Sequence, residues 1–170
     1  MKKYLFKLGK NAQKASNKVI ESKIKDKVLK DYCNLIFKNQ SRIILENKKD
    51  LKKAREKKLK ENIIQRLSIN EKKISQIINT IQTIIKFRDP VNRTLERWKR
   101  PNGLRIEKKT IPIGVIAVIY ESRPNVTSDV AALCFKSGNP VILKGGSEAF
   151  YSNLILSKLF RKSLKKNKID

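Results

Sequence analysis

From the amino terminus to about residue 87, apolar residues recur at intervals of three and four rather than two, the period of one face of an α-helix. Leu5, Leu8, Ala12, Ala15 and Val19 form one stripe; Ile24, Val28, Tyr32, Leu35 and Ile36 form a second. The most regular stripe is Ile74, Ile77, Ile78, Ile81, Ile84 and Ile85, which follows Ser68-Ile69-Asn70-Glu71, a stretch with the spacing of a capping box. A lysine-rich amphipathic helix can also lie on a membrane surface. Several stripes in succession are better satisfied by packing on one another or on a sheet, so all three are read as core faces.

Asp89-Pro90 breaks the helical period, because proline cannot continue a helix, and Asn102-Gly103 reads as a turn between two extended pieces. Leu104 to Lys108 alternates apolar and polar as a half-exposed strand, whereas Val115 to Tyr120 is a continuous run rich in β-branched residues, as in a buried parallel strand. A helical stripe follows at Val126, Val130, Leu133 and Cys134, ended by Gly138. Then come a short strand at Val141-Ile142-Leu143, the pair Gly145-Gly146, and a last helix from about Ser147 to Leu164. The expected fold class is α/β: a helical amino-terminal segment over residues 1–102, then the first βαβα part of a Rossmann-like domain over 103–170. Two strands do not complete a doubly wound sheet, and Lys165 to Asp170 show no stop architecture, so the chain is expected to end within the fold. No internal repeat is visible.

Composition changes this picture little. The chain of 170 residues is 39% hydrophobic, enough for a core, and it carries 41 Lys and Arg against 15 Asp and Glu, a formal charge of +26. Such a balance raises the alternative of a basic nucleic-acid-binding protein. The basic residues are spread through the chain, however, with an excess of Ile and Asn that codon bias in an AT-rich genome would produce, and Trp98 is the single tryptophan. Nucleic-acid binding is therefore disfavoured. Two cysteines without close spacing and the absence of histidine suggest neither a disulfide framework nor a metal site. Catalysis without histidine must rest on carboxylates, lysines, a thiol or backbone dipoles. Lys7 and Lys10 interrupt the amino-terminal apolar run before it reaches signal length, and no later run approaches the ~20 residues that span a bilayer. A soluble, cytoplasmic chain is expected.

The chemistry falls at the two strand ends. Ile119-Tyr120-Glu121 runs through Ser122-Arg123-Pro124 to Asn125, at the start of a helix. There Asn125 would either cap the helix, the favoured reading on the residues alone, or aim a donor at a developing oxyanion. The second strand ends in Lys144-Gly145-Gly146-Ser147-Glu148. The glycines allow close backbone approach, Lys144 offers a cation to a phosphate, and Glu148 an acceptor to ribose hydroxyls. This is not a G-x-G-x-x-G fingerprint, and an ordinary βα loop stands beside the nucleotide-site reading.

The stretches Ile111 to Thr127 and Ala132 to Glu148, with Tyr-Glu-x-Arg-Pro-Asn-Val-Thr followed by Lys-Gly-Gly, resemble the gamma-glutamyl phosphate reductase family of the aldehyde dehydrogenase superfamily. The resemblance covers nearly the whole chain, weakly in the helical part, where Asp89-Pro90 matches a family Asp-Pro, and strongly from about Gly103. It implies an oxidoreductase of proline biosynthesis that uses NADP(H) to reduce L-glutamate 5-phosphate to L-glutamate 5-semialdehyde through a cysteine thioester. By resemblance, Asn125 is the oxyanion-stabilising asparagine. Lys144 and Glu148 serve the adenosine ribose and its 2'-phosphate, within a cofactor turn that includes Gly145, Gly146 and Ser147. The family's nucleophilic cysteine lies downstream of the Lys-Gly-Gly turn, so the catalytic domain is expected to be absent from this chain. Cys134, on a helix stripe, and Cys33 are both expected to be inert core thiols. Alone, the chain is expected to be inactive: a fragment, half of a split enzyme paired with a separate carboxyl-terminal half, or part of a homo-oligomer.

Overall fold

Five helices precede the first strand in the structure, a computed structural model that describes residues 2–169. They are α1 (Lys2–Ser16), α2 (Ser22–Lys38), α3 (Gln40–Glu56), α4 (Glu61–Leu67) and α5 (Glu71–Lys86). The two later stripes behave as the three-and-four spacing predicts, except that Ile24, at the start of α2, is exposed. Val28, Tyr32 and Ile36 of α2 and Ile74, Ile77, Ile81 and Ile84 of α5 are buried, with Leu29 and Ile43 beside them. Each such side chain contributes about 1.5–3 kcal/mol by leaving water.

The first stripe does not form a core face. No residue of α1 is buried; Leu5 is exposed and Val19, 84% exposed, lies beyond the helix end. The helix rests lightly on the later strand Val141–Gly145. The cap of α5 also differs from the capping-box reading. Asn70 is the N-cap, with an extended backbone, and its Oδ1 accepts the Lys73 amide at 2.9 Å, while Ser68 closes the end of α4. The Ser68-to-Glu71 spacing therefore begins two residues before the true cap, where α4 ends.

After α5, Asp89 anchors the chain. Its carboxylate accepts the Val91 amide and the buried Lys25 ammonium, each at 2.9 Å. Then β1 (Thr94–Lys99) and β2 (Arg105–Lys109) form an antiparallel hairpin, turned at Asn102-Gly103 with Gly103 at φ +88. Only glycine adopts that backbone readily. Residues 94–99 are thus strand rather than helix, and the hairpin straddles the 102/103 boundary.

The βαβα unit follows as β3 (Ile116–Tyr120), α6 (Asn125–Lys136), β4 (Val141–Gly145), a single 3-10 turn at Ser147–Ala149, and α7 (Phe150–Lys166). The two strands are parallel, with Ile119 opposite Lys144 and Tyr120 opposite Gly145. Burial corrects two details. The run Val115 to Tyr120 is not buried on both faces: Ile116, Val118 and Tyr120 are half-buried, while Ala117 is exposed and Ile119 is 81% exposed. On α6 the buried face is Thr127, Ser128, Ala131, Ala132 and Cys134, and Leu133 is exposed. Small side chains let α6 pack closely against α5, α2 and α7, a face that a search for bulky apolar residues passes over.

Polar side chains fasten the helices to the strand ends. Buried Asp50 of α3 accepts the Tyr151 amide at 3.0 Å, and the Ser152 amide and hydroxyl at 2.8 and 2.7 Å, which fixes the start of α7. Asn47, one turn earlier, donates to Ser152 Oγ and to the Leu67 carbonyl and accepts the Ile69 amide. One turn of α3 thereby sets both the entry to α7 and the corner between α4 and α5. No helix among the described residues is long and apolar enough to cross a membrane.

Candidate functional site

The carboxyl ends of β3 and β4 lie side by side, where ligands gather in doubly wound sheets. Side chains lace them together. Glu148 turns back across the sheet end so that its Oε1 accepts the Ser122 amide at 2.6 Å and the Ser122 hydroxyl at 3.0 Å. Ser122 takes a left-handed backbone, φ +48, an uncommon conformation for a residue with a side chain and one this pair of bonds helps to hold. Burial pushes the Glu148 carboxyl up, but the hydrogen bonds from its own amide and from Ser122, with the nearby Lys144 charge, outweigh that and hold it below the usual range. A second lacing joins the Tyr120 hydroxyl to Thr127 Oγ1 at 2.6 Å, and Thr127 to Asn153 Oδ1 at 2.9 Å, from β3 through α6 to α7.

Lys144, Gly145, Gly146, Ser147 and Glu148 form one continuous turn at the end of β4. Lys144 is exposed, and its ammonium makes a single long contact, 3.4 Å to the Gly145 carbonyl; Ser147 is exposed beside it. The glycines have a reason within the chain itself. A β-carbon at Gly145 would collide with Asn153 Nδ2 and press on the Tyr120 ring, and one at Gly146 would run into the Glu148 carboxylate. Their smallness first serves this lacing.

Asn125 is the first residue of α6 and does not cap it. Pro124 occupies the cap position, the Val126 and Thr127 amides bond back to the Arg123 and Pro124 carbonyls, and Asn125 Nδ2 donates to Asp129 Oδ2 at 2.9 Å. The side chain is exposed and borders a cleft of about 170 Å³ shared with Arg66, Ser68, Lys73, Pro124 and Asp129. The structure therefore joins the Lys144–Glu148 turn to the loop that begins at Ser122, and sets Asn125 three residues further on, facing the α4–α5 corner. Sequence reasoning did not find Ser122, Thr127, Asp129 or Asn153. Their partners lie four to twenty-six residues away, and nothing in periodicity marks such pairs. A larger, open hollow of about 670 Å³ at the hairpin base, lined by Asp26, Asp89, Arg93, Arg97 and Lys136 among others, lies away from these strand ends.

The thiols are unsuited to nucleophilic work. Both cysteines are free and buried; burial lifts the Cys33 thiol to about 11 and raises that of Cys134. A thiol so placed stays protonated at neutral pH.

No protein-family model matches the chain. It is similar to the gamma-glutamyl phosphate reductase of Nautilia profundicola, at 50% identity over 150 residues, covering 88% of this chain and 36% of that protein. The crystal structure of the gamma-glutamyl phosphate reductase of Thermotoga maritima superposes with a TM-score of 0.94 at 36% identity, covering 97% of this chain and 40% of that one. An acetylating aldehyde dehydrogenase from Geobacillus thermoglucosidasius, at 15% identity and a TM-score of 0.60, covers 94% of this chain and 32% of its own, and shares the fold. The chain spans about two-fifths of the length of the curated relatives it matches.

Proposed function

We infer, from a chain that belongs to the gamma-glutamyl phosphate reductase family and corresponds to its amino-terminal two-fifths, that these residues supply the first part of a nicotinamide-nucleotide domain. The enzyme to which this part belongs reduces L-glutamate 5-phosphate with NADPH to L-glutamate 5-semialdehyde and phosphate, in proline biosynthesis. The cofactor, when bound, supplies the hydride.

The observation that carries this reading is the turn at the end of β4: an exposed lysine that forms none of the ion pairs found among the described residues, on a loop braced through Glu148 to the neighbouring strand end. Lys144 would hold the ribose 2'-phosphate, with Ser147 beside it and Glu148 placing the turn and offering its second oxygen to a hydroxyl. Gly145 and Gly146 contribute by letting Asn153, Tyr120 and Glu148 close beneath the turn. Asn125 would donate to the substrate oxyanion from the first turn of α6, oriented by Asp129. Neither Cys33 nor Cys134 fits the thiol that attacks the acyl phosphate, so this chain alone is not expected to turn over. Two free thiols suit a reducing cytoplasm. Parallel sheets are normally covered on both faces, so the bare Ile119 side of β3 is where a carboxyl-terminal part or a second copy would dock.

The test is nucleotide binding by the chain, followed by fluorescence of NADPH and NADH, with Lys144→Ala. Loss of the lysine should weaken NADPH about 10-fold, the scale of one charge-assisted contact, and leave NADH nearly unchanged. An equal effect on both nucleotides, or none on either, would remove Lys144 from the 2'-phosphate.

A further inference from the structure

One buried side-chain oxygen among the described residues has no hydrogen-bond partner: Oδ1 of Asp129, one turn into α6. An ionised carboxylate can accept about four hydrogen bonds. This one makes a single bond, from Asn125 Nδ2 to Oδ2. Burial raises its pKa, against the lowering effect of that bond, so the site disfavours the charge it holds until a further donor arrives. An asparagine could also accept from Asn125, though its amide donor would then take the place of Oδ1.

Asp129 borders the 170 Å³ cleft, which is well below the ~300–1,000 Å³ of sites that engulf a large ligand; polar residues line it together with the apolar side chains of Ile69, Ile77 and Pro124. Across the cleft stand two cations from the α4–α5 corner. Lys73 is spent: its ammonium donates to the Gln65 and Ser68 carbonyls at 2.8 and 2.6 Å. Arg66 is exposed and forms none of the ion pairs found among the described residues. The Asp129 charge is also felt by Tyr32, which is buried and hydrogen-bonded to Ser128. A cleft with an under-used carboxylate on one wall and an uncommitted guanidinium on the other matches a zwitterion.

We propose that this cleft receives the α-amino-acid head group of the substrate, with Asp129 accepting from the α-ammonium and Arg66 pairing with the α-carboxylate. The assignment rests on the reading of the chain as part of an acyl-phosphate reductase whose substrate is an amino acid. It gives Asp129 two tasks. The carboxylate that recognises the head group also holds Asn125 Nδ2, so the donor meant for the reacting carbonyl is set by the group that anchors the other end of the same molecule. Two methylene groups separate those ends in a glutamyl substrate, and the Asn125 and Asp129 side chains are in direct contact. Such coupling would let the enzyme reject acyl phosphates that lack the ammonium, since their binding would leave the carboxylate unpaired.

The experiment titrates the 170-residue chain with L-glutamate and with glutarate, which is the same diacid without the ammonium, and follows backbone amide shifts by NMR. L-glutamate should move the amides around Arg66 to Ile69 and Asn125 to Asp129 and bind at least 10-fold more tightly than glutarate. Asp129→Asn, isosteric and still an acceptor for Asn125, should erase that preference by weakening L-glutamate alone. The ligand pair tests the wild-type chain directly, so the proposal remains falsifiable even if the variant misfolds. Equal binding of the two diacids, or no L-glutamate binding by a chain that melts cooperatively, overturns the assignment. NADPH is titrated on the same samples. Loss of nucleotide binding with the L-glutamate preference intact would count against the reductase reading, and the reverse result against the cleft alone.

Discussion

The helical block and the strand region of this chain are built to different degrees of completeness. Around α2, α5 and α7, Leu29, Tyr32, Ile36, Ile74, Ile81 and Leu156 are fully buried, and the buried polar groups Lys25, Asn47 and Asp50 all have partners. In the strand region several large apolar residues stay in solvent. Ile111, Ile113 and Ile119 are largely exposed, the β3–β4 sheet has two strands, and the hairpin bears Leu95 and Trp98 on its surface. The helices close their own core. The sheet presents one that further packing would have to cover, and the candidate site sits on the seam, held from the helical side by Asp50 and Asn47.

The sharpest way to break this contrast is to truncate one residue on each side. Leu156→Ala removes a fully buried side chain between α7 and α2, and should cost about 3 kcal/mol by the sum of lost burial and residual cavity. Ile119→Ala removes an equally large apolar side chain from the bare sheet face and should change stability by less than ~0.5 kcal/mol. Urea denaturation of the two variants measures both. If Ile119→Ala proves as costly as Leu156→Ala, the sheet face is covered in solution, by a second copy or by another part of the enzyme, and the contrast between the regions fails.

Much of the fold could be read from periodicity, because α2 and α5 each bury one stripe at helical spacing and the strands are short apolar runs between turn residues. What could not be read depends on distant contacts. The stripe of α1 has the same spacing as that of α2, yet none of its residues is buried. The run Val115 to Tyr120 reads as buried on both faces because β-branched residues record what a strand is made to pack against, and Ile119 has no such neighbour here. The same division holds at the site. Lys144 to Glu148 is contiguous and could be read as one turn, whereas Glu148 meets Ser122 across 26 residues, and Asp129 faces Arg66 across an α-helix and a hairpin. The glycines also have a reason that periodicity does not show: they yield space to Asn153 and Glu148.

A smaller perturbation sharpens the claim that the helical block positions the site. Asp50→Ala leaves the Tyr151 and Ser152 amides and the Ser152 hydroxyl without their acceptor in a buried place, and should cost about 2 kcal/mol. Because those bonds fix the first turn of α7, hydrogen exchange should speed up first at residues 147–153, including the Lys144 turn's exit, while α5 keeps its protection. Uniform loss of protection across both regions would show that Asp50 supports the whole core and not the seam.

The smallest effect has the opposite sign. The folded pKa of Asp129 is raised by burial above its unfolded value, so the native state binds the proton more tightly than the unfolded chain does. Ionised Asp129 therefore costs stability above that window, and the cost disappears as the pH falls through the folded pKa towards the unfolded value near 4. Asp129→Asn removes the charge and keeps an acceptor for Asn125, but sets an unpaired amide donor where Oδ1 stood, so only the cost of the charge is relieved and the variant should be more stable at pH 7 by at most about 1 kcal/mol. Its advantage should fade on acidification, while Asp89 and Glu148, whose folded carboxyls are held low, cost both proteins equal stability in acid. Paired thermal melts from pH 4 to pH 8 read that difference directly. An advantage for the variant that does not change with pH would mean that packing at α6, and not the charge, sets the cost.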